Sequence, residues 1–287
     1  MINDYLLSPV SVPQEDSALQ ILSDFEHYMV LRDMAANTIQ AYLYAVRQYL
    51  SLYRVINHES LMFYKCYLME HYKPQTVNLR IRAMNCLVES LHLSYDKMTM
   101  VRVQHKSFLE NVISQADYEY LKNCFLKNGN HLYYFIIRIM ATTGMRISEL
   151  LQLQAEDVER GCIHIYSKDN KIRVVYIPKL VRQDCLKWLH HIGRTWGDVF
   201  INRYGSRITQ SGVRAQLKKY SIRYGLDPAV VHPHSFRHLF ARNFIEKCGD
   251  IAMLSDILGH ESIETTRIYL HRSTTEQKSI VNQIINW

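Results

Sequence analysis

The spacing of apolar residues takes the period of β-strands in one segment of this chain, and that segment limits the folds that the chain can adopt. The segments CIHIY (162–166) and IRVVYIP (172–178) alternate in the manner of β-strands. The polar, basic stretch SKDNK (167–171) separates them, so the three segments together predict one β-hairpin. On both sides of it the apolar residues return to helical spacing. The sequence therefore predicts a mainly α protein with a small β-sheet, an α+β fold.

The first hundred residues predict a bundle of four helices. In NTIQAYLYAVRQYL the apolar residues recur at helical spacing, and Asn37 or Thr38 is the predicted N-cap. Two further helices are predicted near residues 17–33 and 58–71. The segment SYDKMTMVRVQHKSF (94–108) lacks helical periodicity and is basic, so we predict a linker that lies across a nucleic acid backbone.

The fourth predicted helix carries two arginines whose orientation bears on function. In KPQTVNLRIRAMNCLVESL, Pro74 suits a first helical turn. Helical spacing predicts a buried stripe that consists of Val77, Ile81, Met84 and Val88. Arg80 and Arg82 lie off that stripe, so we expect them on a basic face. That face is either merely solvated or laid against DNA.

The net positive charge of the chain comes entirely from its second part. The formal net charge is +7 at pH 7. Residues 1–108 hold 10 Lys and Arg against 10 Asp and Glu, whereas residues 109–287 hold 24 against 17. A basic excess of this kind favours a polyanionic partner such as nucleic acid.

The sequence lacks the signals that are typical of several functional classes. The start, MINDYLLSPVSVPQED, has no basic region and no long apolar run, so we expect no signal peptide. The most apolar stretch, LYYFIIRIMATTG, is short and contains Arg138, so we expect no membrane role. The six cysteines form no CxxC pair and fit free thiols in a reducing cytoplasm. Neither GxGxxG nor a P-loop occurs, and we expect neither a metal nor a cofactor.

Four segments hold side chains that fit one kind of chemistry. They are TGMRISELLQL with Arg146, the hairpin tip with Lys168 and Lys171, HPHSFRH with His234 and Arg237, and LGHESIETTRIYLH with His260 and Tyr269. A tyrosine hydroxyl is a poor nucleophile at neutral pH, because its pKa is about 10. Two guanidiniums can offset the charge of a phosphodiester, a lysine can protonate the leaving oxygen, and histidines can move protons. The set suffices for metal-free phosphoryl transfer to tyrosine.

Simpler interpretations exist for single residues. Arg146 and Glu149 could form an ion pair on a helix surface. His234 and His238 lie four residues apart and could bind a metal, but no HExxH motif and no third ligand accompany them. None of these interpretations accounts for the order of the whole set along the chain.

In these segments the chain resembles the tyrosine recombinases, the integrase family that includes phage integrases and Xer-type resolving enzymes. The family pattern is an Arg in a TGxRxSEL box, a hairpin Lys, an HxxR box, an LGH or LGW box and a Tyr nine residues later. The matching positions here are Arg146, Lys168, His234, Arg237, His260 and Tyr269. The family hairpin often reads GKGNK where this chain reads SKDNK, so Lys171 remains an alternative to Lys168.

The resemblance implies a site-specific DNA recombinase that works through a 3′-phosphotyrosyl intermediate and a Holliday junction. Tyr269 would attack the scissile phosphate. Arg146 and Arg237 would clamp that phosphate, and His260 would donate a hydrogen bond to it. The resemblance gives the hairpin lysine, Lys168, the role of general acid for the departing 5′-oxygen.

Further residues have implied roles around this centre. His234 would assist proton transfer at the tyrosine or the phosphate. Residues expected to contact DNA outside the phosphate site are Arg80, Arg82, Lys106, Lys171 and Arg173.

The resemblance also implies a two-domain DNA clamp. Residues 1–98 would form a helical core-binding domain, residues 99–111 a linker, and residues 112–287 the catalytic domain. The apolar tail SIVNQIINW (279–287) would dock on a neighbour in a homotetramer on double-stranded DNA with an inverted-repeat core site. A sister recombinase or accessory proteins are further candidate partners. We expect a bacterial cytoplasmic protein associated with the nucleoid, of a Xer-like or mobile-element type without an arm-binding domain.

Two alternative functions remain open. The first is a type IB topoisomerase-like nicking enzyme, against which the helical domain and the apolar tail argue. The second is a catalytically silent DNA-binding regulatory factor, against which the intact set of six residues argues.

Overall fold

Two compact units make up the chain, Met1–His105 and Lys106–Trp287. The computed structural model describes residues 10–11, 14–94, 97–103, 111–166, 172–260, 262–270 and 282. The division between the units falls inside residues 99–111. The assignment of residues 1–98 and 112–287 to separate functional domains stays a prediction.

The first unit consists of four helices and a short pair of strands. Its elements are β1 (Val10–Ser11), α1 (Gln14–Leu31), α2 (Ala36–Leu52), β2 (Val55–Ile56), α3 (His58–His71) and α4 (Pro74–Ser90). β1 and β2 are antiparallel, and α2 packs against α1 and α4. The apolar core between the helices includes the fully buried Phe25, Tyr49 and Tyr64. The four predicted helices are confirmed.

The start of α2 differs from the prediction. The helix begins at Ala36, and its N-cap is Ala35 rather than Asn37 or Thr38. Ala35 has an extended backbone, and its carbonyl accepts hydrogen bonds from the N–H groups of Thr38 and Ile39 at 2.8 and 3.0 Å. Because the first turn already closes on Ala35, both polar residues lie inside the helix.

Helix α4 has the predicted buried stripe, but it also buries one of its two arginines. Pro74 is its first residue, and the four stripe residues are buried. Arg80 is only 6% exposed; its guanidinium lies 3.9 Å from the centre of the Tyr72 ring and donates to Gln48. Arg82 is exposed. The expectation that Arg80 faces solvent or DNA is therefore wrong, because an aromatic ring and an amide enclose its guanidinium.

The second unit is a helical domain that carries one β-hairpin. Its elements are α5 (Gln115–Lys127), α6 (His131–Thr143), α7 (Ile147–Leu150), α8 (Ala155–Arg160), β3 (Cys162–Tyr166), β4 (Ile172–Tyr176), α9 (Lys179–His191), α10 (Gln210–Arg223), α11 (Pro233–Cys248), α12 (Ile251–Leu258) and α13 (Glu264–Arg267). α6 is central: most of its residues are buried, and it packs against α5, α9 and α11. The predicted mainly α fold with a small sheet is confirmed.

The hairpin forms as its alternating pattern predicts. β3 and β4 are antiparallel, with Ile163 opposite Val175 and Tyr166 opposite Ile172. Ile163 and Val175 are buried in the core of the unit, while Tyr166 and Ile172 are exposed. β4 also contacts α12, so the hairpin reaches the C-terminal helices. The tip, residues 167–171, lies outside the described residues.

The remaining predictions concern membranes, thiols and the tail. In the part of the chain that the structure describes, no helix is both long enough and apolar enough to cross a membrane. The six cysteines are free thiols. The apolar tail, 279–287, lies outside the described residues apart from residue 282.

Candidate active site

The turn that ends α6 places the first arginine. Gly144 ends the helix in the left-handed conformation, with φ of 68°, and a Cβ there would lie 2.6 Å from a ring carbon of Phe240. Glycine is therefore required both for the backbone angle and for the space. Two residues later Arg146 is the N-cap of α7, with its side chain 37% exposed. Its Nη2 donates to the carbonyl of Gly259 at 3.1 Å.

Glu149 holds the Arg146 side chain in place. Its carboxylate accepts hydrogen bonds from the backbone N–H and from Nη1 of Arg146, at 2.7 and 2.9 Å. It also accepts from Nη2 of Arg173 on β4, at 2.6 Å. Glu149 is buried, so one enclosed carboxylate balances two guanidiniums. Helical spacing predicts only a surface pair with Arg146, and the second contact depends on how the hairpin packs.

Arg173 belongs to this network. Its side chain is 16% exposed, and its Nη1 donates to the carbonyl of Leu258. Burial lowers the pKa of the guanidinium, and the carboxylate of Glu149 opposes that effect. One protein acceptor lies on each terminal nitrogen, which ties Arg173 to this network. The expectation that Arg173 also contacts DNA stays a prediction.

The second clamp residue, Arg237, lies on α11 and is 2% exposed. Its Nη1 donates to the carbonyl of Gly144 at 2.6 Å, and its Nη2 donates to the carbonyl of Leu258 at 2.8 Å. These carbonyls end α6 and α12, where the helix dipoles are negative and favour a cation. Burial, and then the charge of Arg146, lower the pKa of Arg237 to about 10, so it stays cationic at neutral pH.

His260 follows α12 and lies between Arg237 and Thr266. Its Nε2 is 2.9 Å from Nη2 of Arg237, and its Nδ1 is 2.7 Å from Oγ1 of Thr266. A guanidinium can only donate, so Nε2 accepts, and Nδ1 carries the ring proton and donates to Thr266. Burial, followed by the charge of Arg237, lowers the pKa of His260 to about 4. The ring is therefore neutral at neutral pH.

Tyr269 is a buried phenol near Arg237 and His238. It is 8% exposed and packs with apolar residues of α11 and α12. Its hydroxyl lies 2.7 Å from Nδ1 of His238. Burial raises the pKa of Tyr269 to about 12, although the nearby charge of Arg237 opposes that rise. The hydroxyl is therefore protonated before any substrate binds.

The histidine at the tyrosine is His238, one helical turn after His234. Their ring centres lie 5.9 Å apart. His234 is exposed, and partial removal from water and the charge of Arg237 lower its pKa. The resemblance implied that His234 assists proton transfer at the tyrosine or the phosphate, and the sequence indicated His238 only as a candidate metal ligand. Within the described ranges, no three His, Cys, Asp or Glu side chains are placed to hold a metal ion.

The structure brings together most of the predicted residues. The remaining ones lie outside the residues that the structure describes. The residues brought together are Arg146, Arg237, His260 and Tyr269, with His234 at the exposed edge. Lys168 and Lys171 fall within residues 167–171, and Lys106 falls within residues 104–110, both outside the described residues. The residues that sequence reasoning missed are Glu149, Arg173 as a structural contact, and His238 at the hydroxyl.

Two curated relatives are similar to part of this chain. The tyrosine recombinase XerD of Staphylococcus haemolyticus is 29% identical over 165 residues, which cover 55% of this chain and 56% of that protein. The tyrosine recombinase XerC of Pseudomonas aeruginosa is 33% identical over 142 residues, 47% of this chain and 46% of that protein. The chain spans about half the length of these curated relatives.

The fold has a counterpart that covers both units. A crystal structure of a lambda integrase tetramer bound to a Holliday junction superposes with a TM-score of 0.72, over 89% of this chain and 79% of that chain, at 12% identity. At such low identity the likeness concerns the fold alone. Residues 109–276, more than half of the chain, match the phage integrase family. The matched range includes every residue of the assembled site, and the chain belongs to the phage integrase family.

Proposed function

We propose that this chain is a site-specific DNA recombinase that cuts and rejoins strands through a 3′-phosphotyrosyl intermediate and a Holliday junction. One observation carries the proposal. Arg146 and Arg237 donate to the adjacent carbonyls of Gly259 and Leu258. Two cations therefore lie together, and the charge of Arg237 also acts on the buried Tyr269. Such an arrangement suits a phosphodiester as the target.

The chemistry follows from the charges of these groups. A phosphodiester repels an attacking oxygen, and two guanidiniums on its non-bridging oxygens offset that repulsion more strongly as charge grows in the transition state. Oη of Tyr269 forms a bond to phosphorus, and the 5′-oxygen departs. The phosphotyrosyl link conserves the bond energy, so a 5′-hydroxyl can reverse the step without ATP.

The other predicted residues complete the proposed reaction. Lys168, with Lys171 as the alternative, protonates the departing 5′-oxygen. His260 donates to the phosphate, since a bound anion raises the affinity of its ring for a second proton. His234, at the exposed edge of α11, assists proton transfer on the phosphate side.

The proposed substrate is double-stranded DNA with an inverted-repeat core site, bound by a homotetramer. The lambda integrase tetramer on a Holliday junction supports this assembly. Residues 1–98 would bind the core site, residues 99–111 would link the domains, and the tail, 279–287, would dock on a neighbouring subunit. A sister recombinase or accessory proteins would join on some sites. We place this activity in a bacterial cytoplasm, at the nucleoid.

The test uses a duplex with the inverted-repeat site and a nick beside the cleavage point, so that the cut fragment diffuses away. Wild type, Tyr269→Phe and Tyr204→Phe are incubated with it in the presence of a chelator. Tyr204 is an exposed tyrosine of the same unit and serves as the control. We expect a denaturation-resistant protein–DNA adduct from wild type and Tyr204→Phe, and none from Tyr269→Phe.

Other outcomes would support the alternative functions. Tight binding without any adduct would favour the silent regulatory factor. An adduct together with plasmid relaxation, but without Holliday junctions from paired sites, would favour the topoisomerase-like enzyme. An adduct in Tyr269→Phe would mean that another residue attacks.

A further inference from the structure

His238 is the histidine whose ring contacts the tyrosine hydroxyl. Its Nδ1 lies 2.7 Å from Oη of Tyr269, and the two ring centres are 5.7 Å apart. The other two histidines of the site are engaged elsewhere. His260 contacts Thr266 and Arg237, and His234 lies on the exposed side of α11.

The direction of this hydrogen bond follows from the burial of the phenol. A buried O–H requires an acceptor. Among the residues that the structure describes, Nδ1 of His238 is the acceptor that lies within hydrogen-bond distance of Oη. Nδ1 is therefore unprotonated, and the ring proton is on Nε2. The lone pair of His238 already points at the proton that must leave Tyr269.

We propose that His238 is the catalytic base at Tyr269: its Nδ1 accepts the hydroxyl proton during cleavage and returns it during ligation. This role rests on the proposed function, and it moves to His238 the tyrosine side of the proton transfer that the resemblance implied for His234. His238 contacts a reacting atom directly, whereas the ring of His234 lies beside the ring of His238, with centres 5.9 Å apart.

The atoms and charges of the step balance. In cleavage the bond from Oη to phosphorus forms, the bond from phosphorus to the 5′-oxygen breaks, and the tyrosine proton moves to His238. The departing 5′-oxygen takes a proton from the proposed lysine acid. In ligation the 5′-hydroxyl attacks, the phenolate leaves with the proton held by His238, and the lysine regains its own. No electrons are gained or lost over the cycle.

Burial and the neighbouring groups keep the His238 ring neutral before DNA binds. On its own helix and N-cap it faces His234, His232 and Arg237, and from the C-terminal segment it faces Tyr269. Burial, followed by the nearby His234, lowers the pKa of His238 to about 4. A phosphate held by the arginines brings a negative charge near the ring, which raises the proton affinity of His238 when the base is needed.

Single-turnover cleavage of the nicked duplex tests this role. In His238→Asn the amide still binds the Tyr269 hydroxyl but cannot take its proton, and His238→Ala removes both functions. We expect both variants to form the adduct at least about 100-fold more slowly than wild type, with unchanged DNA affinity. His190→Asn changes an exposed histidine on α9 and should react like wild type.

A sulfur in place of the bridging 5′-oxygen separates the base from the acid, because a thiolate departs without a proton. On that duplex His238→Asn should remain slow, whereas alanine at the lysine that acts as acid, Lys168 or Lys171, should recover much of its rate. Added imidazole should speed His238→Ala and leave Tyr269→Phe inactive. Cleavage and ligation should slow by similar factors in His238→Asn, since a base that serves both directions leaves their ratio unchanged.

The proposal is overturned if His238→Asn cleaves at the wild-type rate. Faster cleavage by His238→Ala would also overturn it and would make His238 a restraint on the tyrosine. If His238→Ala does not fold, His238→Asn decides alone. A failure of the proposed function looks different, because wild type itself would then form no adduct that depends on Tyr269.

Discussion

Nη2 of Arg237 donates to Nε2 of His260 at 2.9 Å, although the two residues lie 23 positions apart and on different elements. The same guanidinium also binds carbonyls at the ends of α6 and α12. The contact fixes the His260 ring so that its Nδ1 donates to Thr266. A displacement at either helix end therefore moves the arginine and the histidine together.

We predict that Glu149→Gln weakens both folding and cleavage. The amide removes the charge that balances Arg146 and Arg173. We expect the free energy of unfolding in urea to fall by about 1 to 3 kcal/mol. Adduct formation should slow at least about 10-fold, because the Arg146 guanidinium loses its fixed position. Glu246→Gln, at an exposed i,i+4 pair with Arg242, is the control and should match wild type. Equal stability of the two variants would show that the buried charge contributes nothing.

We predict that Gly259→Ala damages the site more than Gly249→Ala. Both glycines have a left-handed backbone, with φ of 61° and 74°, so both changes cost about 1 to 2 kcal/mol in backbone strain. A Cβ at Gly249 meets nothing within 4 Å, whereas a Cβ at Gly259 overlaps the Arg173 guanidinium. We expect a clear loss of adduct formation in Gly259→Ala alone, measured on the nicked duplex. Equal activity of the two variants would mean that Arg173 can shift without consequence.

We predict that acid destabilises the fold through two histidines. The pKa values of His238 and His260 are lowered to about 4 in the folded chain, against about 6.5 in the unfolded chain. Between these values the unfolded chain binds more protons, so this stability is full above pH 6.5 and is lost as the pH falls toward 4. Each histidine should contribute about 1 to 3 kcal/mol.

Urea unfolding of wild type and His238→Asn at pH 7.5 and pH 5 measures this contribution. We expect the variant to lose less stability than wild type over that interval, because it no longer carries one of the two groups. His190→Asn should follow the wild-type curve. Parallel curves for wild type and His238→Asn would show that His238 is already protonated or fully hydrated in the folded chain.

We predict that the two arginines of α4 differ in their contribution to the stability of the fold. Arg80→Ala removes a buried guanidinium from Tyr72 and Gln48 and should cost about 2 kcal/mol of stability. Arg82→Ala, at an exposed position, should change stability by less than about 0.5 kcal/mol. If α4 lies on DNA, Arg82→Ala should also weaken binding across sequences and lower the salt dependence of log Kd by about one. A salt dependence equal to wild type would remove Arg82 from the interface.

Local sequence patterns were sufficient for the four N-terminal helices and for the hairpin. The four N-terminal helices follow from helical spacing, and the hairpin strands follow from alternation. The order of Arg146, Arg237, His260 and Tyr269 along the chain was enough to expect one site. These features depend on residues within a few positions of each other or on a linear pattern, and both can be read without the fold.

Only the tertiary structure decided which side chains meet. Arg80 and Arg82 are two residues apart, yet one is enclosed by Tyr72 and the other is exposed. Tyr269 contacts His238 rather than His234, because packing of the C-terminal segment on α11 selects which face of that helix it touches. Periodicity gives the faces of a helix but not the partner of each face. That partner is set by contacts between residues far apart in sequence. In those contacts one buried side chain packs and forms hydrogen bonds with several elements at once.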